Sequence, residues 1–230
     1  IPRLRARPLA VGRSSGDTGT LNMSGGTLNV TGHTLTLASF SGCVGEMNLS
    51  GGTVNLASDL YVGEGGTGTL NISGNATLNA NGPNGVRVGV NAGSTGIVNL
   101  NSGATLLTNA PFTKGNGTAV FGFDGGTLRA AASGSPFFQG FSQVLIRAGG
   151  ARIDTAGFDV TITNSMAREL VPGNGADILK MNPGTLTLAG GISMIRLLDV
   201  DTGSTSANDG VLRVAPPMAL SSPKSIRIRN

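Results

Sequence analysis

Apolar and polar residues alternate along the first hundred positions in short runs that return at a regular interval. Leu21 and Met23 alternate with Thr20 and Asn22, and Leu28 and Val30 alternate with Thr27 and Asn29. A period of two over so few residues marks strands with one buried and one solvated face. Between the two runs stands Ser24-Gly25-Gly26, a turn cluster whose glycines reach backbone angles closed to other residues. The unit Gly19–Val30 recurs at Gly45–Leu56, Gly68–Ala80 and Gly96–Leu107. With Leu21, Met47, Leu70 and Val98 as equivalent positions, the steps are 26, 23 and 28 residues. A third apolar run precedes each pair, at Leu9–Gly12, Leu35–Leu37, Leu60–Gly63 and Val86–Gly89.

Self-similarity at this period marks a solenoid. The pattern predicts an all-β chain folded as a single-stranded parallel β-helix, right-handed, with three short strands per coil of about 25 residues. A hairpin array would need two-residue loops such as Asn-Gly, and it would not return equivalent strands a full period later. Leu21, Leu28, Met47, Leu49, Leu70, Ile72 and Val98 are expected to point inward. Asn22, Asn48 and Asn71 point outward and stack in register, where amide ladders add hydrogen bonds along the axis. At ~4.8 Å of rise per coil, about nine coils make a rod roughly 40–45 Å long.

Three segments are expected. Residues 1–8, with Arg3, Arg5 and Arg7 between two prolines, read as an extended basic arm or charge-protected edge. Residues 9–108 hold the regular coils. Residues 109–230 hold less regular ones and a C-terminal strand. The pattern loosens around 109–118, and most phenylalanines follow: Phe121, Phe123, Phe137, Phe138, Phe141 and Phe158. Strands are expected at Val120–Phe123, Thr127–Ala130, Val144–Arg147, Arg152–Asp154, Val160–Ile162, Thr185–Leu188, Arg196–Val200 and Val211–Val214. Gly126–Ala130 and Gly210–Val214 look like one strand in different coils. Ser165–Leu170 is the one plausible helix.

Composition supports a narrow core. Glycine accounts for 38 of 230 residues without a collagen-like triplet, tryptophan is absent and charged residues are 12%, about half of ordinary usage. The net charge of +4 is concentrated at the ends: Arg3, Arg5, Arg7 and Arg13 at the start, and Lys224, Arg227 and Arg229 at the finish. No basic stripe interleaved with aromatics runs along the repeats, so nucleic acid is not an expected partner. No apolar run approaches the ~20 residues that span a bilayer. The chain starts at Ile1 without a signal-peptide pattern and reads as a processed or excised piece.

Candidate chemistry is sparse. Cys43 and His33 are the only residues of their kinds, which leaves no intrachain disulfide, no Ser/His/Asp set and no zinc site of the usual ligands. Gly63–Thr69 superficially resembles a calcium-binding nonapeptide but lacks its aspartate. Asn-X-Ser/Thr triplets such as Asn22–Ser24 follow from the repeat itself. A Thr/Asn face that orders water is interrupted by Glu46 and Ile97. Glycoside hydrolysis needs two positioned carboxylates; Asp199 and Asp201 alternate on one strand, and Asp154 and Asp159 flank a turn. Arg227-Ile-Arg229 distantly resembles the basic triplet of pectin-degrading hydrolases, whose acidic cluster and glycine-flanked histidine are missing. No catalytic, metal or cofactor residue is assigned, and an enzyme is not expected.

The second half resembles a known family. Phe123–Ala130, Ala148–Phe158 and Pro183–Gly191 look like the autotransporter-associated β-strand repeat, and Gly210–Val214 is similar to the strand that closes that unit. The first half is similar to related passenger repeats. After Gly191 the family runs into an Asn/Thr/Tyr-rich turn, whereas Ile192–Leu198 stands here. The resemblance implies a secreted, surface-attached bacterial β-solenoid. The expected function is therefore a non-enzymatic extracellular structural or adhesive protein. The alternative is a carbohydrate-binding or polysaccharide-degrading β-helix. Expected partners are further copies of the chain, joined end to end into a fibre, and a surface polysaccharide. The assembly ends would be Arg3, Arg5, Arg7, Leu9 and Val11 at one pole and Ile226, Arg227, Ile228 and Arg229 at the other.

Overall fold

The computed structural model describes residues 9–170, 177–193, 197–201, 210–214, 220–221 and 225–229. Its strands stack in parallel ladders into a β-solenoid, and none of the described residues is helical. One face is a nine-stranded sheet that takes a strand from each successive coil. It runs from Leu9–Val11 through Leu35–Leu37, Leu60–Val62 and Val86–Val88, and on to Val211–Val214. The other two faces form one sixteen-stranded sheet, creased along the long strand Val44–Leu56. The first half of that strand pairs with Thr67–Ile72 and the second half with Thr77–Ala80.

The crease revises the reading of Ser24-Gly25-Gly26 as a turn between strands. In the first coils the chain continues through it, as Thr18–Val30 and Val44–Leu56, with register slips between Met23 and Thr27. Gly26 and Gly52 there have φ of 77° and 81°, which bends a ladder without ending it.

The inward set is Met47, Leu49, Leu70, Ile72 and Val98, each at most 1% exposed. Leu21 and Leu28 also pack against this core but are only half-buried, because Thr18–Val30 is the outermost strand of its sheet and no described coil covers it. Between Phe112 and Phe141 rings take over the core, and beyond them aliphatic residues such as Ile146, Ile153, Ile162 and Leu186 return. Phe138 stacks on Phe112 at 5.4 Å and on Phe141 at 4.4 Å, and meets Phe121 edge-on at 4.9 Å.

Three further expectations change. Within Ser165–Leu170, Met166–Arg168 is a strand, not a helix, paired to Gln143–Ile146 on one side and Ile192–Ser193 on the other. Six residues make little more than one helical turn, and the neighbouring ladders offer hydrogen bonds on both sides. Thr127–Ala130 and Val211–Val214 lie on different faces: the first pairs with Thr105–Thr108 and Ala151–Asp154, the second with Thr185–Leu188. Their shared apolar-Arg-apolar pattern fits any half-buried strand. Phe112–Lys114, Gly134–Gln139 and Asp177–Met181 are strands absent from the expected set.

Candidate functional site: the two ends and the outer faces

Outward residues align from coil to coil because the registers are nearly unbroken. Asn48 donates to Asn22 at 2.9 Å, Asn71 to Asn48 at 2.8 Å and Asn99 to Asn71 at 2.7 Å. A second ladder runs from Asn79 to Asn55 at 2.7 Å and from Asn55 to Asn29 at 2.8 Å. All the amides point the same way, so each ladder presents a donor toward the first coil. Beside the second ladder Thr27, Thr53, Thr77, Thr105 and Thr127 form one row in register.

The first ladder ends at an arginine. Gly122 takes the rung after Asn99, and a Cβ there would stand 2.5 Å from the Arg147 guanidinium. Arg147 lies over that glycine, donates to Asn99 Oδ1 at 2.8 Å and pairs with Glu169 at 3.3 Å. The glycine therefore opens the space through which a cation closes the row of amides. In the row of the second ladder Leu107 follows Asn79, and a charged pair follows Leu107. Arg129 and Asp154 are register partners and pair at 3.4 Å, and Asp154 also accepts from Asn182 at 2.8 Å.

The carboxylates weighed for hydrolysis lie on separate elements, Asp199 and Asp201 in Leu197–Asp201, Asp154 at the end of Ala151–Asp154 and Asp159 just before Val160–Ile162. Asp199 is 4% exposed and stands opposite Leu179 and Arg227 in the ladder. Asp201 is opposite Met181 and Arg229. Asp159 accepts from the Thr185 backbone at 2.8 Å. The Thr185 side chain and N–H hold its carboxyl below the ordinary range. Among the described residues no three His, Cys, Asp or Glu side chains gather as metal ligands. Cys43 is buried within a turn, and His33 lines a shallow surface dent with Asp59.

The two ends are matched. Leu9, Leu35, Leu60, Val86, Phe112, Phe138, Ile162, Leu188 and Val214 form one inward row by register. Its inner members are at most 1% exposed, whereas Leu9 is 39% and Val214 41% exposed. Leu9–Val11 and Val211–Val214 are the terminal strands of their sheet. Val11, the other end residue expected on this strand, is 8% exposed and is the register partner of Leu37. Ile226, Arg227, Ile228 and Arg229 lie in Ser225–Arg229, at the far end of the other sheet. Arg3, Arg5 and Arg7 lie outside the described residues.

Sequence reasoning missed Lys180. It faces inward between Ile153 and Val200 and is 0% exposed, with its ammonium donating to the backbone carbonyls of Met181 and Asn182. Burial lowers its pKa to about 8, against the opposing pull of Asp154. The alternation Asp-Ile-Leu-Lys-Met was the available signal, because it puts Ile178 and Lys180 on one face.

Fold and ends together define a class, the single-chain parallel β-solenoid. No described helix is long and apolar enough to cross a membrane. Compared with protein families, curated proteins and solved structures, the chain matches none.

Proposed function

We propose that this chain is a non-enzymatic extracellular structural or adhesive β-solenoid of the autotransporter passenger type, whose copies stack end to end into a surface fibre. The observation that carries the reading is the inward row that opens at both poles, with Leu9 and Val214 as its half-exposed last members. A copy stacked on another would continue that row and pair the outer edge of one terminal strand with that of the other. Such a head-to-tail contact does not close on itself and yields a filament. The donors of Asn22 and Asn29 face the same joint. In backbone register Arg227 and Arg229 stand opposite Asp199 and Asp201 of their own chain. Secretion and attachment to a bacterial surface rest on the resemblance of the repeats.

Negative-stain electron microscopy and light scattering at increasing concentration test the assembly. Filaments are expected at moderate salt, with an axial repeat of one chain length. Leu9→Lys and Val214→Lys, at half-exposed positions that leave the core intact, should each abolish them. A monodisperse monomer at high concentration sinks the reading.

A further inference from the structure

One corner of the solenoid differs from its neighbours. Where the chain leaves the nine-stranded sheet, Gly12, Gly63 and Gly89 take left-handed φ values of 71°, 72° and 61°. Register puts Ala38 at the same place, and it holds φ at 57°, which costs an L residue energy that glycine avoids. The turn that follows is clamped from within. The Cys43 sulfur lies 2.9 Å from the Phe40 carbonyl and 3.2 Å from that of Gly12, and it accepts the Phe40 N–H at 3.3 Å. Cys43 is 1% exposed, whereas Phe40 at the tip of the turn is 58% exposed. An aromatic ring is thus held in water on a fixed backbone.

The next coil makes the same corner with the shorter link Gly63–Gly66 and passes close beneath. A Cβ at Gly65 would meet Ser39 O at 2.6 Å, and one at Gly66 would meet Cys43 O at 2.1 Å. The overhanging turn leaves a groove of about 290 Å³ lined by Arg13, Thr36, Phe40, Tyr61 and Glu64. The Arg87 guanidinium sits 5.7 Å from the centre of the Tyr61 ring, where cation and ring attract each other. Burial raises the Glu64 carboxyl above its ordinary value.

We propose that this groove binds one or two pyranose rings of an acidic polysaccharide, with Phe40 and Tyr61 as stacking surfaces and Arg13 as the partner of a sugar carboxylate. The volume lies near the lower bound of ordinary small-ligand sites, ~300 Å³. The C–H face of a pyranose packs on an aromatic ring, and its hydroxyls meet the polar groups of Thr36 and Glu64. A guanidinium holds a carboxylate through paired hydrogen bonds. Arg13 in the lining and Arg87 beside Tyr61 set two cations against the single carboxylate of Glu64, which favours an anionic ligand locally. A peptide adding as a strand finds no edge here, because Leu35–Leu37 and Leu60–Val62 are paired on both sides. The groove lies within one chain, so it stands or falls independently of the end-to-end joint.

Tyr61 is the only tyrosine and the chain has no tryptophan, so intrinsic tyrosine emission reports this groove alone. The test titrates the full chain with a uronic-acid oligomer and with the neutral hexose oligomer of the same linkage and length, followed by emission and calorimetry. The acidic oligomer should bind and change the emission, and the neutral one should bind about tenfold more weakly. Phe40→Ala should weaken acidic binding about tenfold, at an exposed position that leaves the unfolding curve in place. Arg13→Ala should remove the preference for the acidic oligomer, and Glu64→Gln should strengthen acidic binding several-fold. No binding of either oligomer at millimolar concentration overturns the proposal, as does undiminished binding by Phe40→Ala. Equal binding of both oligomers by the native chain overturns the assignment of an acidic ligand.

Discussion

The coils before Thr108 and those from Phe112 onward meet the same stacking requirement with different side chains. In the first region the interior is Leu, Val, Ile and Met, and much of the order is on the outside, in two ladders of asparagine amides. In the second no Asn–Asn ladder runs among the described residues, and five phenylalanines interlock inside its first coils. The changeover is sharp, because Gly122 takes the next rung after Asn99 and Arg147 covers it. A short repeat with constant outward residues lets identical groups bond along the axis. Once coil geometry varies, as at the irregular strand Gly134–Gln139, shape-filling rings replace that regularity. Interiors are close-packed, so uneven coils need larger and differently oriented side chains to leave no void.

The largest expected effect separates the two cores. Phe138→Ala removes the ring that touches Phe112, Phe121 and Phe141 and should cost about 3–5 kcal/mol; Leu70→Ala should cost about 2–5 kcal/mol. Urea unfolding measures both, and equal, negligible losses would mean that neither packing pattern holds its coils.

A smaller effect is confined to the second region, where Lys180 interrupts an otherwise apolar row. Its pKa of about 8 in the fold lies below its ordinary value of 10.5. Between those values the unfolded chain keeps a proton that the folded chain has released. Stability should therefore rise with pH across that window, by on the order of 3 kcal/mol, and stay flat in this respect below it. Lys180→Met should be more stable than the native chain at pH 7 and lose this dependence. Urea midpoints at several pH values check it, and a fall in stability across the window would contradict the burial of the amine.

The smallest effect belongs to the ladders. Asn71→Ala breaks the amide chain where solvent can still reach the freed groups, and should cost about 1 kcal/mol. A loss as large as that of Leu70→Ala would reverse the assignment of inner and outer faces.

Much of this architecture is written in local pattern. Alternation told Met47, Leu70 and Val98 from Asn48, Asn71 and Asn99, because adjacent side chains on a strand must point to opposite faces. The constant step between copies then required those asparagines to stack, and the ladders follow. What a strand pairs with lies a whole coil away, and the local sequence does not carry it. Hence Thr127–Ala130 and Val211–Val214 read alike but belong to different faces, and Met166–Arg168 takes its conformation from the strands beside it. The half-burial of Leu21 depends on its being in the outermost strand, a fact about position rather than residue type.

Sequence alone determined the solenoid, its period and the phase of its strands, because each follows from repetition and from the two-residue pleat. Tertiary structure alone decided the groove between Phe40 and Tyr61, the closure of the ladder by Arg147 and the buried place of Lys180. Each of these depends on residues brought together from different coils, and the distance between coils is set by stacked backbones, not by neighbours along the chain.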